Sequence, residues 1–486
     1  MTLQTATKTI TADDFQDEAE NFFTIKTKIT HDLVLREILD TLQQIDFDAE
    51  AKLGPTEKLS QKHLVVLTIR EVLRSANLLN CGLCRQQDFI YSYNGEFWKL
   101  LDREELKIFL GEAAEKLGVR KITATYFKFK DELYKQFLAA AHLPKPEKAN
   151  NAVLINFQNK TGEITKDGLK LRPFSRADFL TYQLNFAYDK DATCERWQSF
   201  LDEVLPEKDK VGNVIDEGKS RQKVLAEYIA YIFTSLKLEK TLILFGSGAN
   251  GKSVFFEVIY ALLGKNNISN FSLESLGDQY YRAMLANKIL NYSSEISNRL
   301  QAEKFKQLTS GEPIEARLPY GQPMTLTNYA KLAFNTNELP RDVEHTKAFF
   351  RRFLIIPFDV TIPEEKQNPN LANEIIETEL AGVFNWILEG LNRLLQHGKF
   401  SKCDAAQKAL ETYRKESDSV AMFIEDERYE KSSNYSVVKT IYQNYRSYCL
   451  DNGYKPLGRN NFTKRLEANG VVTDRLSMGL VAYIQQ

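Results

Sequence analysis

The residues best suited to chemistry form one run, from Gly246 to Val254, which reads GSGANGKSV. Its glycines lack Cβ atoms, so the backbone can turn N–H groups toward phosphate oxygens. Lys252 is long enough to reach the β- and γ-phosphates of a nucleotide, and the Ser253 hydroxyl can ligate Mg²⁺. The spacing fits a P-loop and predicts a nucleoside triphosphate site with Mg²⁺. The residues assigned to this site are Gly246, Ser247, Gly248, Ala249, Asn250, Gly251, Lys252, Ser253 and Val254.

A P-loop needs a strand before it and a helix after it, and the flanking sequence predicts both. Residues 241–245, TLILF, are apolar and partly β-branched, which favours a buried strand. Residues 252–263 carry apolar side chains at helical spacing. The positive end of this helix would then face the same anion as the loop.

Two polar residues downstream follow apolar runs that predict further strands. Residues 288–295, KILNYSSE, end in Glu295, which could orient Mg²⁺ or the attacking water. Residues 331–337, KLAFNTN, end in Asn337, whose amide could sense the γ-phosphate. A solvated glutamate at a strand end and a turn asparagine before Pro340 are the alternative interpretations.

Arg351 and Arg352 precede the apolar run FLIIPF, and two interpretations are open for them. They could form a solvated edge of the sheet. One of them could instead be an arginine finger that stabilises charge in the site of a neighbouring subunit.

The order of these motifs, with LTSGEPIEARLPYGQP between the second and third strands, resembles the ATPase core of superfamily 3 helicases. More closely, it is similar to the phage, plasmid and poxvirus-type primase-helicases. The resemblance is strong over residues 220–360. It is weaker upstream, at YNGEFWKLLDREEL and FLTYQLNFAYD, and in the C-terminal region. Five motifs in this order are specific, whereas any single one is not.

The resemblance implies an AAA+-like ring, usually of six subunits, with ATP bound at each subunit interface. Arg351 or Arg352, with Arg352 preferred, would be the finger supplied by the next subunit. The resemblance implies three further roles. Lys252 and Ser253 would bind the nucleotide, Glu295 would orient Mg²⁺ or the attacking water, and Asn337 would sense the γ-phosphate.

The resemblance also implies a hairpin over residues 317–327 that points into the ring pore and tracks one DNA strand through its phosphates. Two departures from the family pattern affect these roles. Ser294 stands where many relatives carry a second acid, so Glu295 could serve both acidic roles. The hairpin tip, residues 320–322 (YGQ), lacks the lysine often found there, and Tyr320 could stack on bases instead. The positive charge at the hairpin would otherwise come from Arg317, Lys304 or Lys306.

The C-terminal residues predict a winged helix: helices at 437–451 and 459–468, then a β-prone run at 471–484. From Lys431 onward, Lys and Arg number eight and Asp and Glu three, a local charge of +5. This charge favours DNA contact, and a protein-docking winged helix is the alternative. The residues predicted to contact DNA are Arg459, Asn461, Lys464 and Arg465.

Two further patterns resemble metal sites but favour structural roles. Asp46 and Asp48 have the spacing of a two-metal carboxylate pair, but they follow a helical pattern with no preceding sheet. Solvated carboxylates at a helix end are the favoured interpretation. Cys81 and Cys84 have no second ligand pair, so buried thiols are favoured over a zinc site.

The composition is that of a globular protein without a strong charge bias. The 486 residues carry a net charge of -1, so a DNA-binding surface must be local. The five cysteines form no disulfide framework, and no apolar stretch could span a membrane. The N-terminus is too polar for a signal peptide. We expect a cytoplasmic protein.

The expected fold class is an α/β P-loop (AAA+-like) ATPase core with an α+β N-terminal region and a C-terminal winged-helix domain. The predicted segments are a helical region with a disordered lead (1–85), an α+β domain (86–215), the ATPase core (216–360), a helical segment packed on the core (361–425) and the winged helix (426–486).

These features predict an ATP-driven, ring-forming DNA helicase that replicates a phage, plasmid or mobile element and translocates on single-stranded DNA. Its partners would be DNA, further copies of the chain, and a primase or polymerase. Primase activity in this chain is not expected, because it carries no supported Asp-x-Asp pair or zinc module. The alternative function is a nucleotide-switched origin-binding protein without motor activity. A protein-remodelling ATPase is disfavoured by the hairpin and the basic helix.

Overall fold

The computed structural model describes residues 29–54, 57–86, 88–143, 152–206, 219–294, 296, 301–319, 321–340 and 343–486. The predicted N-terminal lead, Glu295 and Tyr320 lie outside these residues. Contacts between Cα atoms divide the chain into two units, Met1–Glu147 with Phe174–Thr181, and Lys148–Pro173 with Tyr182–Gln486. The finer boundaries expected from the sequence stay predictions.

The first unit combines helices with a three-stranded antiparallel sheet. Its helices are α1 (Val34–Thr41), α2 (Phe47–Ala51), α3 (Gln61–Leu78), α4 (Arg103–Leu117), α5 (Lys121–Thr125) and α6 (Phe127–Ala140). Its strands pair in the order β1 (Gly82–Gln86), β2 (Phe89–Tyr93) and β3 (Trp98–Leu100). The apolar faces of the helices meet in one core that includes Ile38, Val72, Leu110 and Leu133.

The second unit begins with a small antiparallel sheet and two helices. The sheet contains β4 (Val153–Asn156), β5 (Thr161–Thr165) and β6 (Gly168–Arg172) in that order. The helices are α7 (Glu195–Val204) and α8 (Ser220–Ile232), and α8 leads into the main sheet.

A five-stranded parallel sheet organises the second unit, with the strands in the order 353–357, 241–245, 331–336, 290–293 and 268–269. The strands at 241–245 (TLILF) and 353–357 (FLIIP) are largely apolar runs, which is typical of a parallel sheet that helices cover on both faces. The five strands are β7 (Thr241–Phe245), β8 (Ile268–Ser269), β9 (Leu290–Ser293), β12 (Lys331–Thr336) and β13 (Phe353–Pro357). The expectation of a mixed α/β fold is therefore confirmed.

Helices and one hairpin connect and cover these strands. The hairpin consists of β10 (Ile314–Arg317) and β11 (Pro323–Leu326). The helices are α9 (Lys252–Leu263), α10 (Gln279–Ala283), α11 (Ala302–Ser310), α12 (Lys347–Phe350), α13 (Leu371–Thr378), α14 (Leu380–His397) and α15 (Asp404–Glu416).

The C-terminal part of the second unit has its own apolar core. It contains α16 (Ser419–Asp426), β14 (Glu430–Val437), α17 (Val438–Asp451), α18 (Arg459–Ala468), β15 (Thr473–Leu476) and β16 (Gly479–Gln485). The strands form an antiparallel sheet in the order β14-β16-β15. Phe423, Tyr445 and Phe462 pack at the centre of this core. In the described part of the chain, no helix is both long enough and apolar enough to cross a membrane.

Candidate functional site

The loop between β7 and α9 has a backbone that requires glycine at two positions. A Cβ atom on Gly246 would lie 2.4 Å from the carbonyl oxygen of Phe358. A Cβ atom on Gly251 would lie 2.7 Å from Cγ1 of Val204, and Gly251 also has a φ of 84°. Both constraints exclude a side chain at normal contact distances. The two glycines that define the motif are therefore needed by the fold of the loop.

Residues after β13 fix this loop through two hydrogen bonds. The Nδ2 group of Asn250 donates to the carbonyl oxygen of Phe358 over 3.2 Å. The backbone N–H of Ile362 donates to the carbonyl oxygen of Ala249 over 2.8 Å. A loop anchored in this way presents its remaining groups in a defined geometry.

Lys252, the first residue of α9, directs its ammonium group onto the loop. Its Nζ atom donates to the carbonyl oxygen of Gly246 over 2.6 Å, to Oδ1 of Asn250 over 3.0 Å and to Oδ1 of Asn337 over 3.2 Å. The residue is only 5% exposed. Burial lowers the pKa of its ammonium group. A desolvated cation of this kind is stabilised by an anionic partner.

Asn337 reaches Lys252 because β12 lies beside β7 in the parallel sheet. The two strands pair in register as far as Thr336 and Phe245, so their carboxyl ends coincide. Asn337 follows Thr336 directly and is exposed. Ligands of open α/β sheets bind at the carboxyl ends of the strands. The structure thus brings together two of the predicted site residues at the edge of the sheet where chemistry is expected.

Strand β9 lies on the other side of β12 and ends at the same edge. Its Tyr292 stacks on Phe256 of α9, with ring centroids 3.8 Å apart and ring planes at 23°. Ser293 ends the strand, and Ser294 follows it on the surface. Glu295, the predicted acid, lies outside the described residues, and its role stays a prediction.

The adjacent residues Arg351 and Arg352 have different environments. Arg352 is 7% exposed, and its guanidinium group donates to Oγ of Ser310 over 2.8 Å and to the carbonyl oxygen of Lys306 over 3.2 Å. The side chain of Arg351 is 52% exposed and forms an ion pair with Glu239. Glu239 also lies 3.6 Å from Nη2 of Arg352. The sequence favours Arg352 as the arginine finger, but a side chain buried within its own chain is poorly placed to reach a neighbouring subunit. The exposed Arg351 suits that role better.

The hairpin expected over residues 317–327 is present, but its first strand begins earlier, at Ile314. Strands β10 and β11 pair antiparallel as far as Arg317 and Pro323. The Nε–H of Arg317 donates to the carbonyl oxygen of Gly321 over 2.9 Å, so part of this guanidinium group closes the hairpin tip. The Nζ atom of Lys306 lies 2.8 Å from Oε2 of Glu344, with which it forms an ion pair. Tyr320 lies outside the described residues, and its proposed stacking on bases stays a prediction.

Three of the four residues predicted to contact DNA on α18 are exposed: Arg459, Asn461 and Lys464. The fourth, Arg465, has a different environment. Its Nη2 atom lies 3.5 Å from Oδ2 of Asp418, and its side chain is 19% exposed. Asp418 is buried and accepts hydrogen bonds at the start of α16. Arg465 therefore joins α18 to α16. The accessible positive charges among the four predicted residues are those of Arg459 and Lys464.

The two patterns that resembled metal sites have structural roles. Oδ1 of Asp46 accepts hydrogen bonds from the N–H groups of Asp48 and Ala49 over 3.0 and 3.1 Å. It thus caps the start of α2. Cys81 and Cys84 are buried thiols, and burial raises the pKa of Cys84 to about 12. No cluster of three or more potential metal ligands occurs among the described residues.

Glu239 is a residue of this region that the sequence did not single out. It precedes β7, has a φ of 53°, and pairs with Arg351 across 112 residues of sequence. No local motif marks such a carboxylate, because its partner is brought to it only when β13 pairs with β7.

Three family models match separate parts of the chain. Residues 71–206 match the family described as D5 N terminal like, and residues 415–472 match the Poxvirus D5 protein-like family. Residues 244–352, which include the glycine-rich loop and both arginines, match a family of unknown function (DUF5906). No curated protein matches the chain.

Solved structures of the NrS-1 C-terminal region are similar to the chain. An apo A-form structure covers 84% of this chain and 97% of its own, with a TM-score of 0.47 and 11% identity. For another A-form structure, of residues 305–718, the match covers 85% of this chain and 98% of the solved chain, with a TM-score of 0.48 and 12% identity.

Proposed function

This chain is a relative of the phage and poxvirus-type primase-helicases, as its two D5 matches indicate, and we propose that it is an ATP-driven DNA helicase. The family supports a role in the replication of phage or viral DNA. The motor activity, the ring and the ligands are parts of the proposal, and they are argued from the geometry of the site.

The loop between β7 and α9 fits the triphosphate of ATP. A Cβ atom on Gly248 would meet no atom within 4 Å, so the middle of the loop faces open space. The backbone N–H groups at the start of α9, a helix of 12 residues, would offer partial positive charge there. Lys252 would exchange its present acceptors for the β- and γ-phosphates. Its low exposure favours this exchange, because a phosphate offsets the cost of burying the ammonium group.

Ser253 and Glu295 are the residues that would hold Mg²⁺. Ser253 lies in the first turn of α9, beside Lys252, and it is exposed. Hydroxyl and carboxylate oxygens are ligands that suit this ion. Bound Mg²⁺ neutralises charge that develops on the phosphoryl group. Glu295 would also orient the attacking water, and the amide of Asn337 would contact the γ-phosphate.

A second copy of the chain would complete this site. Arg351 is the accessible arginine of the pair, and its partner Glu239 is itself partly exposed. An exposed ion pair is easily exchanged, because its net stabilisation is small. In a closed ring, each Arg351 would leave Glu239 and stabilise charge in the next subunit's site.

DNA would contact two parts of the second unit. The β10–β11 hairpin, with Arg317 and Tyr320, would face single-stranded DNA in the pore of a hexameric ring. The C-terminal α17, α18 and β14–β16 would form a winged helix, with Arg459, Asn461 and Lys464 facing phosphates or base edges. A primase or polymerase would act on the strand that the ring exposes.

The contact between Lys252 and Asn337 is the observation that carries the proposal, because it joins two separately predicted parts of the site. The test is ATP hydrolysis by the purified chain with and without single-stranded DNA, followed by displacement of a labelled strand. The proposal expects hydrolysis that DNA stimulates and displacement that requires ATP.

The exposed basic residues of α18 favour a second candidate, a nucleotide-switched protein that binds an origin without separating strands. The same experiment distinguishes the two functions. Hydrolysis or ATP-dependent DNA binding without strand displacement would support the second candidate and contradict the motor.

A further inference from the structure

Asn335 is a buried residue beside the proposed site that the roles above do not use. It lies on β12, one residue before the end of the strand at Thr336 and two residues before Asn337. The residue is only 9% exposed. Among the residues that the structure describes, its Oδ1 atom has no hydrogen-bond partner. Buried amide oxygens are seldom left in this state.

The neighbours of Asn335 show which helix this face covers. In the pairing of β12 with β9, Ala333 lies opposite Tyr292, so Tyr292 shares the face of Ala333 and Asn335. Tyr292 in turn stacks on Phe256 of α9. Asn335 therefore faces α9, the helix that begins with Lys252 and Ser253.

A hydrogen bond orients the Asn335 amide. Burial raises the pKa of the Tyr292 hydroxyl, and a hydrogen bond from the Asn335 side chain acts in the opposite direction. A bond that lowers the pKa of a phenol is one that it accepts, so the Nδ2 group of Asn335 is the donor. Its Oδ1 atom is left as an acceptor.

Asn291 on the neighbouring strand shows the usual state of a buried amide. Its Oδ1 atom accepts hydrogen bonds from Ser269 and from the N–H of Phe271, and its Nδ2 group donates to the carbonyl oxygen of Phe271. The unpaired oxygen of Asn335 is thus a local exception in this sheet. Ser294, which follows β9, is an uncharged residue.

We propose that Asn335 is a positioning residue for Mg²⁺: its Oδ1 atom accepts a hydrogen bond from a water molecule bound to the ion that Ser253 holds. The inference rests on the proposed function, because it requires nucleotide and Mg²⁺ at the loop. A neutral acceptor suits this role, since Mg²⁺ keeps several bound waters in protein sites. Hydrogen bonds to such outer ligands set the affinity for the ion.

The test is the Mg²⁺ dependence of binding of a fluorescent ATP analogue to the wild-type chain and to Asn335→Ala. We expect Asn335→Ala to need about 10-fold more Mg²⁺ for half-maximal binding, the lower end of outer-shell effects. Its affinity for the analogue in EDTA should be unchanged. Equal Mg²⁺ requirements in the two proteins would overturn the inference.

Asn291→Ala is the matched control, because it removes a buried amide from the adjacent strand without touching the unpaired oxygen. It should keep the wild-type Mg²⁺ requirement, and an equal rise in this variant would overturn the inference by showing a general effect of sheet damage. Asn335→Asp is a second variant should Asn335→Ala not fold. We expect its carboxylate to lower the Mg²⁺ requirement, and an unchanged requirement would overturn the inference.

The outcome for the proposed function is read separately. If the wild-type chain binds no analogue with or without Mg²⁺, the nucleotide site itself is wrong. If it binds the analogue and Asn335→Ala has the wild-type Mg²⁺ requirement, the nucleotide site stands and the role of Asn335 is wrong.

Discussion

The Nζ atom of Lys252 donates to Oδ1 of Asn337 over 3.2 Å, although 85 residues separate the two in the sequence. One residue begins the helix after β7, and the other follows the end of β12. Their contact depends on the parallel pairing of those two strands. A cation and an amide at one end of a sheet can contact the same phosphate, and this geometry underlies the predictions that follow.

Asn337→Ala should reduce the rate of ATP hydrolysis while nucleotide binding is retained. If the amide contacts the γ-phosphate mainly in the transition state, its loss should lower kcat by about 10²–10³-fold. Steady-state hydrolysis and equilibrium binding of an ATP analogue measure the two effects. Glu338→Ala, at the next exposed position, should behave as wild type. A parallel loss of binding and turnover in Asn337→Ala would indicate a structural residue instead.

Arg351→Ala and Arg352→Ala should have different consequences. Arg351 is exposed and its ion pair contributes little, so its removal should leave the melting temperature nearly unchanged and lower turnover by about 10³-fold or more. Arg352 is buried against Ser310 and Lys306, so its removal should cost about 3 kcal/mol of stability. Thermal melts and hydrolysis rates distinguish these outcomes.

A mixing experiment tests whether Arg351 acts in a neighbouring subunit. Lys252→Ala and Arg351→Ala, each inactive alone, should recover some hydrolysis when mixed, because some interfaces would then combine an intact loop with an intact arginine. No recovery, in mixtures shown to assemble together, would argue against a finger supplied between subunits.

Lys464→Ala should weaken DNA binding in a salt-dependent way. Its exposed ammonium group is suited to one phosphate contact, so the slope of log affinity against log salt should fall by about one. Arg465→Ala should instead destabilise the C-terminal core, because it leaves the buried Asp418 without its cation. Titrations at several salt concentrations, together with thermal melts, measure both effects. Similar salt slopes for the wild type and Lys464→Ala would contradict this assignment.

The first unit should lose stability as the pH falls below 6.5 because of His31. Burial, with a smaller effect from Lys99, lowers the pKa of His31 to about 4, while Asp32 opposes the shift. Unfolding releases the ring to its ordinary pKa, so protons favour the unfolded state between pH 6.5 and 4. The loss between pH 7 and pH 5 should be about 2 kcal/mol. Urea unfolding at both pH values should show a smaller loss in His31→Gln, and an equal loss would exclude His31 as the cause.

The elements that form the glycine-rich loop could be predicted closely from the sequence. The run at 241–245 is apolar after Thr241, and the structure has β7 at the same residues. The helix predicted at 459–468 also has the expected bounds. In both cases the local pattern and the tertiary packing favour the same structure, which is the condition for a reliable prediction.

Other features depend on contacts that no local pattern contains. Strand β14 has the polar sequence EKSSNYSV and was not expected, because its stability comes from pairing with β16 about 50 residues later. The different burial of Arg351 and Arg352 likewise depends on Glu239 and Ser310, which lie in distant segments. Adjacent residues of the same type give no indication of which will face the core.

ATP hydrolysis by Lys252→Ala, measured beside wild type and Lys265→Ala, tests the central claim most directly. Lys265 is an exposed lysine just after α9, so its removal makes a matched change of charge outside the loop. The account predicts that Lys265→Ala hydrolyses ATP at the wild-type rate, whereas Lys252→Ala shows no hydrolysis above background despite a normal melting temperature. Equal hydrolysis by the two variants would contradict the assignment of the loop as the nucleotide site.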